Sequence, residues 1–220
     1  MNRKLILSLS LILVGIILFT GCSSTTSKSG EKILRSNNGS EPGSLDPALA
    51  QGTHESWVLE NVFEGLMTFN EKGELVKGMA EDYKISDDGL VYTFTIRDDA
   101  KWSNGDPVTA ADYVYGWQRT VNPKTASEYA YLFSPVKNAD DITAGKTAVD
   151  QLGIKAVNDH ELEITLSKAT PYFDYLLAFP SFFPQNQKIV EENGSKYAQS
   201  SATAVYNGPF TLTDFDGPGT

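Results

Sequence analysis

The chain has 220 residues, a net charge of −10 at pH 7, one cysteine and two histidines. A single cysteine excludes an intramolecular disulfide, so stability has to come from core packing. No lysine or arginine cluster follows the first residues. The electrostatic footprint of nucleic-acid binding is therefore missing, and the acidic balance favours solubility without naming a ligand.

Asn2-Arg3-Lys4 supplies a short positive segment, and Leu5 to Phe19 is an apolar run interrupted only by Ser8, Ser10 and Gly15. That run is short of the roughly 20 residues that span a bilayer. Phe19-Thr20-Gly21-Cys22 resembles a bacterial lipobox, with phenylalanine where leucine is usual. The resemblance implies a signal peptide over 1–22 and a lipid anchor on Cys22. The alternative is an uncleaved N-terminal membrane anchor, and either reading exports and tethers the remainder. Ser23 to Gly30 holds no apolar residue, so 23–31 reads as a flexible linker.

Glu31 to Arg35 reads as a short strand leading into a loop, and the prolines of Glu41 to Pro47 forbid a helix there. Helical spacing of Trp57, Val58, Asn61, Val62 and Leu66 predicts an amphipathic helix over Glu55 to Met67, ending near Gly65. Leu66 to Phe69 reads as a strand before a turn at Asn70 to Gly73. Leu90 to Arg97 alternates, with Tyr92, Phe94 and Ile96 on one face and Val91, Thr93 and Thr95 on the other. The turn Asp87-Asp88-Gly89 makes it a hairpin with Tyr83 to Ile85. Thr109-Ala110-Ala111-Asp112 fits a capping box opening a helix to about Thr120. A further strand pair is expected at Ile154 to Val157 and Glu161 to Leu166, with Leu162, Ile164 and Leu166 buried. A short helix from Thr170-Pro171 through Leu177, a helix near Gln187 to Asn193 and an extended run from Gly208 to Phe215 complete the chain. Mixed strands and helices mean α/β or α+β.

No zinc ligand set surrounds His54 or His160, and neither a phosphate-binding glycine loop nor a nucleophile elbow is present. The adjacent pairs Asp87-Asp88, Asp98-Asp99 and Asp140-Asp141 read as solvated turn residues. No enzyme, cofactor or metal site is expected. Aromatic residues crowd two regions, Tyr113, Tyr115, Trp117, Tyr129, Tyr131 and Phe133, and then Tyr172, Phe173, Tyr175 and Phe179. They are either core residues or the lining of a wet cleft.

Six separated blocks carry a resemblance: residues 36–47 (SNNGSEPGSLDP), 61–66 (NVFEGL), 101–112 (KWSNGDPVTAAD) running into 114–119 (VYGWQR), 123–127 (PKTAS), 170–173 (TPYF) and 207–210 (NGPF). In this order they resemble the extracytoplasmic oligopeptide-binding lipoproteins of ABC importers, family 5 of the solute-binding proteins, from about Ile33 to the end. The resemblance implies a mixed α/β, two-lobed clamp of the periplasmic-binding-protein kind that closes on its ligand. It divides the chain into a first-lobe segment over 32–63, a small inserted lobe over 64–186, and a return to the first lobe over 187–220. The second large lobe would lie beyond Thr220, so the chain by itself is expected to bind peptide weakly or not at all.

The implied function is capture of short peptides by their backbone, extended like an added strand, for delivery to the permease subunits of a membrane transporter. The protein is expected to act as a monomer held at the membrane by its anchor, without nucleic acid. A surface receptor or adhesin of the same fold, sensing peptide pheromones, is one competing reading, and a non-functional truncated remnant is the other. By resemblance Gln51, Gly52 and Thr53 line the cleft, with Gly52 allowing close approach. Tyr129 matches a ligand-contacting tyrosine, and Phe179 a position whose side chain faces a pocket in some members. Gln51 stands where an acidic residue is usual and Phe179 where a histidine is. From the residues alone Gly52 is equally a plain turn and Tyr129 an ordinary packed aromatic. Trp102 and Trp117 are expected to be structural.

Overall fold

The computed structural model describes residues 33–215, and the chain divides into two units, Met1–Asn37 and Asn38–Thr220. The apolar N-terminal segment, Cys22 and the linker lie outside the described residues, as do residues 216–220. In the first unit, residues 33–37 form no strand, and Ile33 and Leu34 are exposed. The strand expected there is not formed in its described part, because an extended segment becomes a strand only where a second backbone pairs with it.

The second unit opens with an irregular stretch and then helix α1, Thr53–Val62. The helix starts two residues earlier and ends sooner than the spacing predicts. Its last carbonyls are taken from outside: Gly208 N–H donates to Val62 O at 2.8 Å and Phe210 N–H to Asn61 O at 3.1 Å. Phe63 is already extended. Leu59 and Val62 are buried, whereas Trp57 is exposed, its ring T-shaped to that of His54. The run expected over Gly208 to Phe215 is irregular among the described residues and contributes these two bonds rather than a strand.

Asn207 fastens the same junction. Its buried amide accepts the Glu64 N–H at 3.2 Å and donates to the Glu64 carbonyl at 2.9 Å. Gly208 is required here, because a Cβ would stand 2.6 to 2.8 Å from backbone atoms of Val62 and Phe63.

Strands β1, Met67–Phe69, and β2, Leu75–Lys77, form a small antiparallel hairpin. Its turn is held by Asn70, whose side-chain oxygen accepts the N–H groups of Lys72 and Glu74. Strands β3 (Ala80–Ile85), β4 (Val91–Ile96), β5 (Ile154–Asn158) and β6 (Glu161–Thr165) make an antiparallel sheet in the order β3-β4-β6-β5. Period-two alternation sets the two faces. Tyr92, Phe94, Ile96, Leu162 and Ile164 are buried on one, and Val91, Thr93 and Thr95 look the other way.

Helix α2, Ala110–Val121, covers the buried face against β5 and presents Tyr113, Trp117 and Val121 to it. The capping box forms as expected: Asp112 accepts the Thr109 N–H at 2.8 Å and also the Trp102 indole N–H at 3.3 Å. Burial still raises the Asp112 pKa above the usual carboxylate value, with these hydrogen bonds opposing it. Trp117 lies edge-on to Phe133 and Phe182 and donates its indole N–H to Phe182 O at 2.9 Å. A buried indole needs such a partner. Trp102 and Trp117 are thus both core residues, as expected.

Helices α3 (Ala139–Thr143), α4 (Phe173–Leu176) and α5 (Gln187–Asn193) are short. The sequence reading has no counterpart of α3. Asn186 caps α5 by accepting the Ile189 N–H. The aromatic crowd splits: Tyr113, Trp117, Phe133 and Phe173 are core, Tyr131, Tyr172 and Tyr175 are exposed, and Tyr129 and Phe179 are half-buried.

Candidate ligand-binding site

Gly52 is the pivot between the irregular N-terminal stretch and α1. Its φ of 97° and ψ of −178° lie where a side chain is not tolerated. Both of its backbone groups are used within the protein. The carbonyl accepts from the Ser56 N–H at 3.2 Å and the Ser56 hydroxyl at 2.9 Å. The N–H donates to the Tyr129 hydroxyl oxygen at 3.3 Å, across 77 positions of sequence. What the loop offers outward is therefore Gln51 and Thr53, both exposed. No side chain caps the first turn of α1.

Tyr129 joins the second half of the cluster. Its ring meets Phe179 edge-to-face with centroids 5.2 Å apart, a favoured aromatic geometry. The structure thus brings Gln51, Gly52, Thr53, Tyr129 and Phe179 to one place, although three separate parts of the chain supply them. Tyr129 has an apolar ring held by Phe179 and a hydroxyl that accepts from Gly52. Its own O–H proton remains available to a carbonyl.

Two groups that sequence reading missed hold this arrangement. Glu55, buried on the first turn of α1, accepts the Gly43 N–H through Oε1, tying the Glu41 to Gly43 stretch to the loop. A carboxylate at a helix start is also favoured by the helix dipole. Further in, Asp46 and Arg119 form a two-pronged ion pair, Nη1 to Oδ1 at 2.7 Å and Nη2 to Oδ2 at 2.6 Å. Arg119 Nη1 also donates to Gln185 Oε1 at 2.8 Å, and its guanidinium lies 5.6 Å from the Tyr197 ring centre. Burial alone would lower the Arg119 pKa, but the hydrogen bonds and charge of Asp46 carry it above the ordinary value. Burial likewise drives the Tyr197 hydroxyl upward, and Tyr206 up to about 12. The pairing has one sequence signal: both Ser44-Leu45-Asp46-Pro47 and Val114 to Arg119 belong to the blocks that carry the resemblance.

A separate surface hollow of about 620 Å³, lined by Leu90, Ser134, Lys137, Asn138, Asp140 and Thr165 among others, shares no residue with the cluster. Among the described residues no group of side chains could hold a metal ion, and no helix is long and apolar enough to cross a membrane.

Residues 74–218 match the bacterial extracellular solute-binding proteins, family 5 Middle. This chain belongs to that family. It is 44% identical to a dipeptide-binding protein of Lactococcus lactis subsp. cremoris over 96% of its own length and 38% of the relative's. It is 44% identical to the oligopeptide-binding protein OppA of Bacillus subtilis over 84% of its length and 34% of that protein's. The solved structure of Listeria monocytogenes OppA bound to peptide superposes with a TM-score of 0.80 at 51% identity, over 81% of this chain and 36% of that one. The family 5 chain described here therefore spans about a third of the length of the curated relatives it matches, and has the mixed α/β fold of the matching part of OppA.

Proposed function

We propose that this chain is part of the extracytoplasmic substrate-binding component of an ABC importer, which captures short peptides by their backbone and passes them to a permease. The observation that carries this reading is the convergence of the 51–53 loop, Tyr129 and Phe179 through the Gly52 to Tyr129 hydrogen bond and the Tyr129–Phe179 ring contact. An extended peptide satisfies its main chain by pairing with exposed backbone and hydroxyl groups. Here the uncapped first turn of α1 and the Tyr129 hydroxyl are the groups at hand. Peptide-binding relatives and a peptide-bound solved neighbour support the same ligand class.

The reading includes capture without catalysis, action as a monomer, and a lipid anchor on Cys22 after removal of residues 1–22. The stretches 32–63 and 187–220 belong to a first lobe and 64–186 to a small inserted one, with the ligand held between lobes. Calorimetric titration of the intact protein with alanine tripeptides tests it. Saturable binding is expected, weakened about tenfold or more by Tyr129→Ala and unchanged by Tyr172→Ala, an exposed tyrosine outside the cluster. No saturable binding, or equal losses in both variants, would refute it. Cys22→Ala is expected to release the protein from the membrane fraction, and retention there would count against the anchor.

A further inference from the structure

We propose that Tyr131 forms a side-chain subsite beside the peptide backbone site, taking an arginine or lysine side chain of the bound peptide. The inference deepens the peptide-capture reading and rests on it. Three rings stand in a row: Phe179 against Tyr129 at 5.2 Å, and Tyr129 against Tyr131 at 6.2 Å with the planes tilted by 59°. The first two are half-buried, whereas Tyr131 is 64% exposed. Single exposed aromatics are ordinary on a protein surface. This one differs because the row it ends begins at the residues that gather around Gly52.

Its backbone is not loose. Ala130 and Phe133, from the same short turn Ala130–Phe133, are buried, so the turn is anchored and Tyr131 projects from it. Just upstream Ala126 is held at φ 55°, a left-handed conformation that a non-glycine residue keeps only when its surroundings impose it. The turn that carries the ring is therefore held in place.

Charge decides what it takes. The face of a tyrosine ring is the negative part of its quadrupole and attracts a cation lying within about 6 Å. Glu128, in the same segment, is exposed, and no lysine or arginine lies between Lys124 and Lys137. The whole chain carries −10. A guanidinium or ammonium group thus meets a ring face beside a stretch, 125–136, whose one charged residue is Glu128, while an acidic side chain would meet a like charge. An aliphatic side chain would gain the apolar contact alone.

The test titrates the intact protein with alanine tripeptides carrying one arginine, one leucine or one glutamate at each position in turn. At one position the arginine peptide is expected to bind about 2–5-fold more tightly than its leucine counterpart, the size of an exposed cation–π contact. Tyr131→Ala is expected to abolish that preference by weakening the arginine peptide more than the leucine peptide, and Tyr131→Phe, which keeps the ring, to retain it. Equal affinities for arginine and leucine peptides at every position, or a Tyr131→Ala loss of equal size for all peptides, would overturn the subsite while leaving peptide capture standing. Failure of every peptide to bind the unaltered protein would overturn both.

Discussion

Replacing Arg119 by methionine removes the partner of a carboxylate that is only 3% exposed while filling much of the same space. Two charge-assisted hydrogen bonds of 2.6 and 2.7 Å are lost with it. A pair of unit charges about 4 Å apart attracts by roughly 4 kcal/mol at an effective dielectric of about 20. Leaving one member of a buried pair uncompensated destabilises by about 3–5 kcal/mol. With a urea slope of about 2 kcal/mol per molar, the Arg119→Met midpoint should fall by about 1.5–2.5 M. Trp117, two residues away on α2 with its indole bonded to Phe182, gives the fluorescence signal. Asp46→Asn should also destabilise, because Arg119 then keeps its charge against a neutral amide. The combined variant should lose at least about 1.5 kcal/mol less than the sum of the two single losses, since groups in one network do not act independently. Single losses below about 1 kcal/mol, or strict additivity, would show that the pair does not hold the Ser44 to Pro47 stretch to α2.

Gly208→Ala should destabilise by about 1–3 kcal/mol, because its Cβ would press on backbone atoms of residues 62 and 63 that cannot rotate aside. A thermal melt unchanged from that of the parent protein would contradict this. Asp174→Asn should alter the pH profile of stability. Burial raises the Asp174 pKa above 3.8, with the Tyr83 hydroxyl at 3.3 Å opposing the shift. A folded pKa above the unfolded one means that this group's contribution is complete below about 3.8 and is lost as pH rises through the folded value. The amide cannot ionise, so the variant should gain on the parent protein between pH 4 and pH 7. A melting-temperature difference that shrinks or reverses over that range would refute the assignment.

Most of the sheet was legible because alternation is a local property. Tyr92, Phe94 and Ile96 announce their buried face, and the turn at Asp87 to Gly89 announces the hairpin. The capping box at Thr109 and Asp112 worked for the same reason. Where the reading failed, long-range contacts decided. The end of α1 is set by Gly208 and Phe210, about 150 positions away, which no window around Val62 could show. Trp57 falls at helical spacing and yet is exposed, since spacing alone does not say which side meets the core. Helix α3 is only five residues long and follows Asn138 at φ 67°, too short for a periodic signal. For the site, resemblance pointed to Gln51, Gly52, Thr53, Tyr129 and Phe179. The Gly52 to Tyr129 hydrogen bond that gathers them, and the supporting Glu55, became visible only in three dimensions.

The clasp between Glu64 and Asn207 makes the intervening chain a closed excursion, its two ends pinned together although 143 positions apart. Enlarging such a loop is inexpensive, because closure entropy grows only with the logarithm of its length. Residues added or removed in its exposed turns would leave these pinned ends where they were, provided Arg119 and Tyr129 still reach Asp46 and Gly52. Those turns can therefore change in length while the outer chain keeps its path. The side chain of Asn207 and the missing side chain of Gly208 are the fixed ends that make this freedom possible.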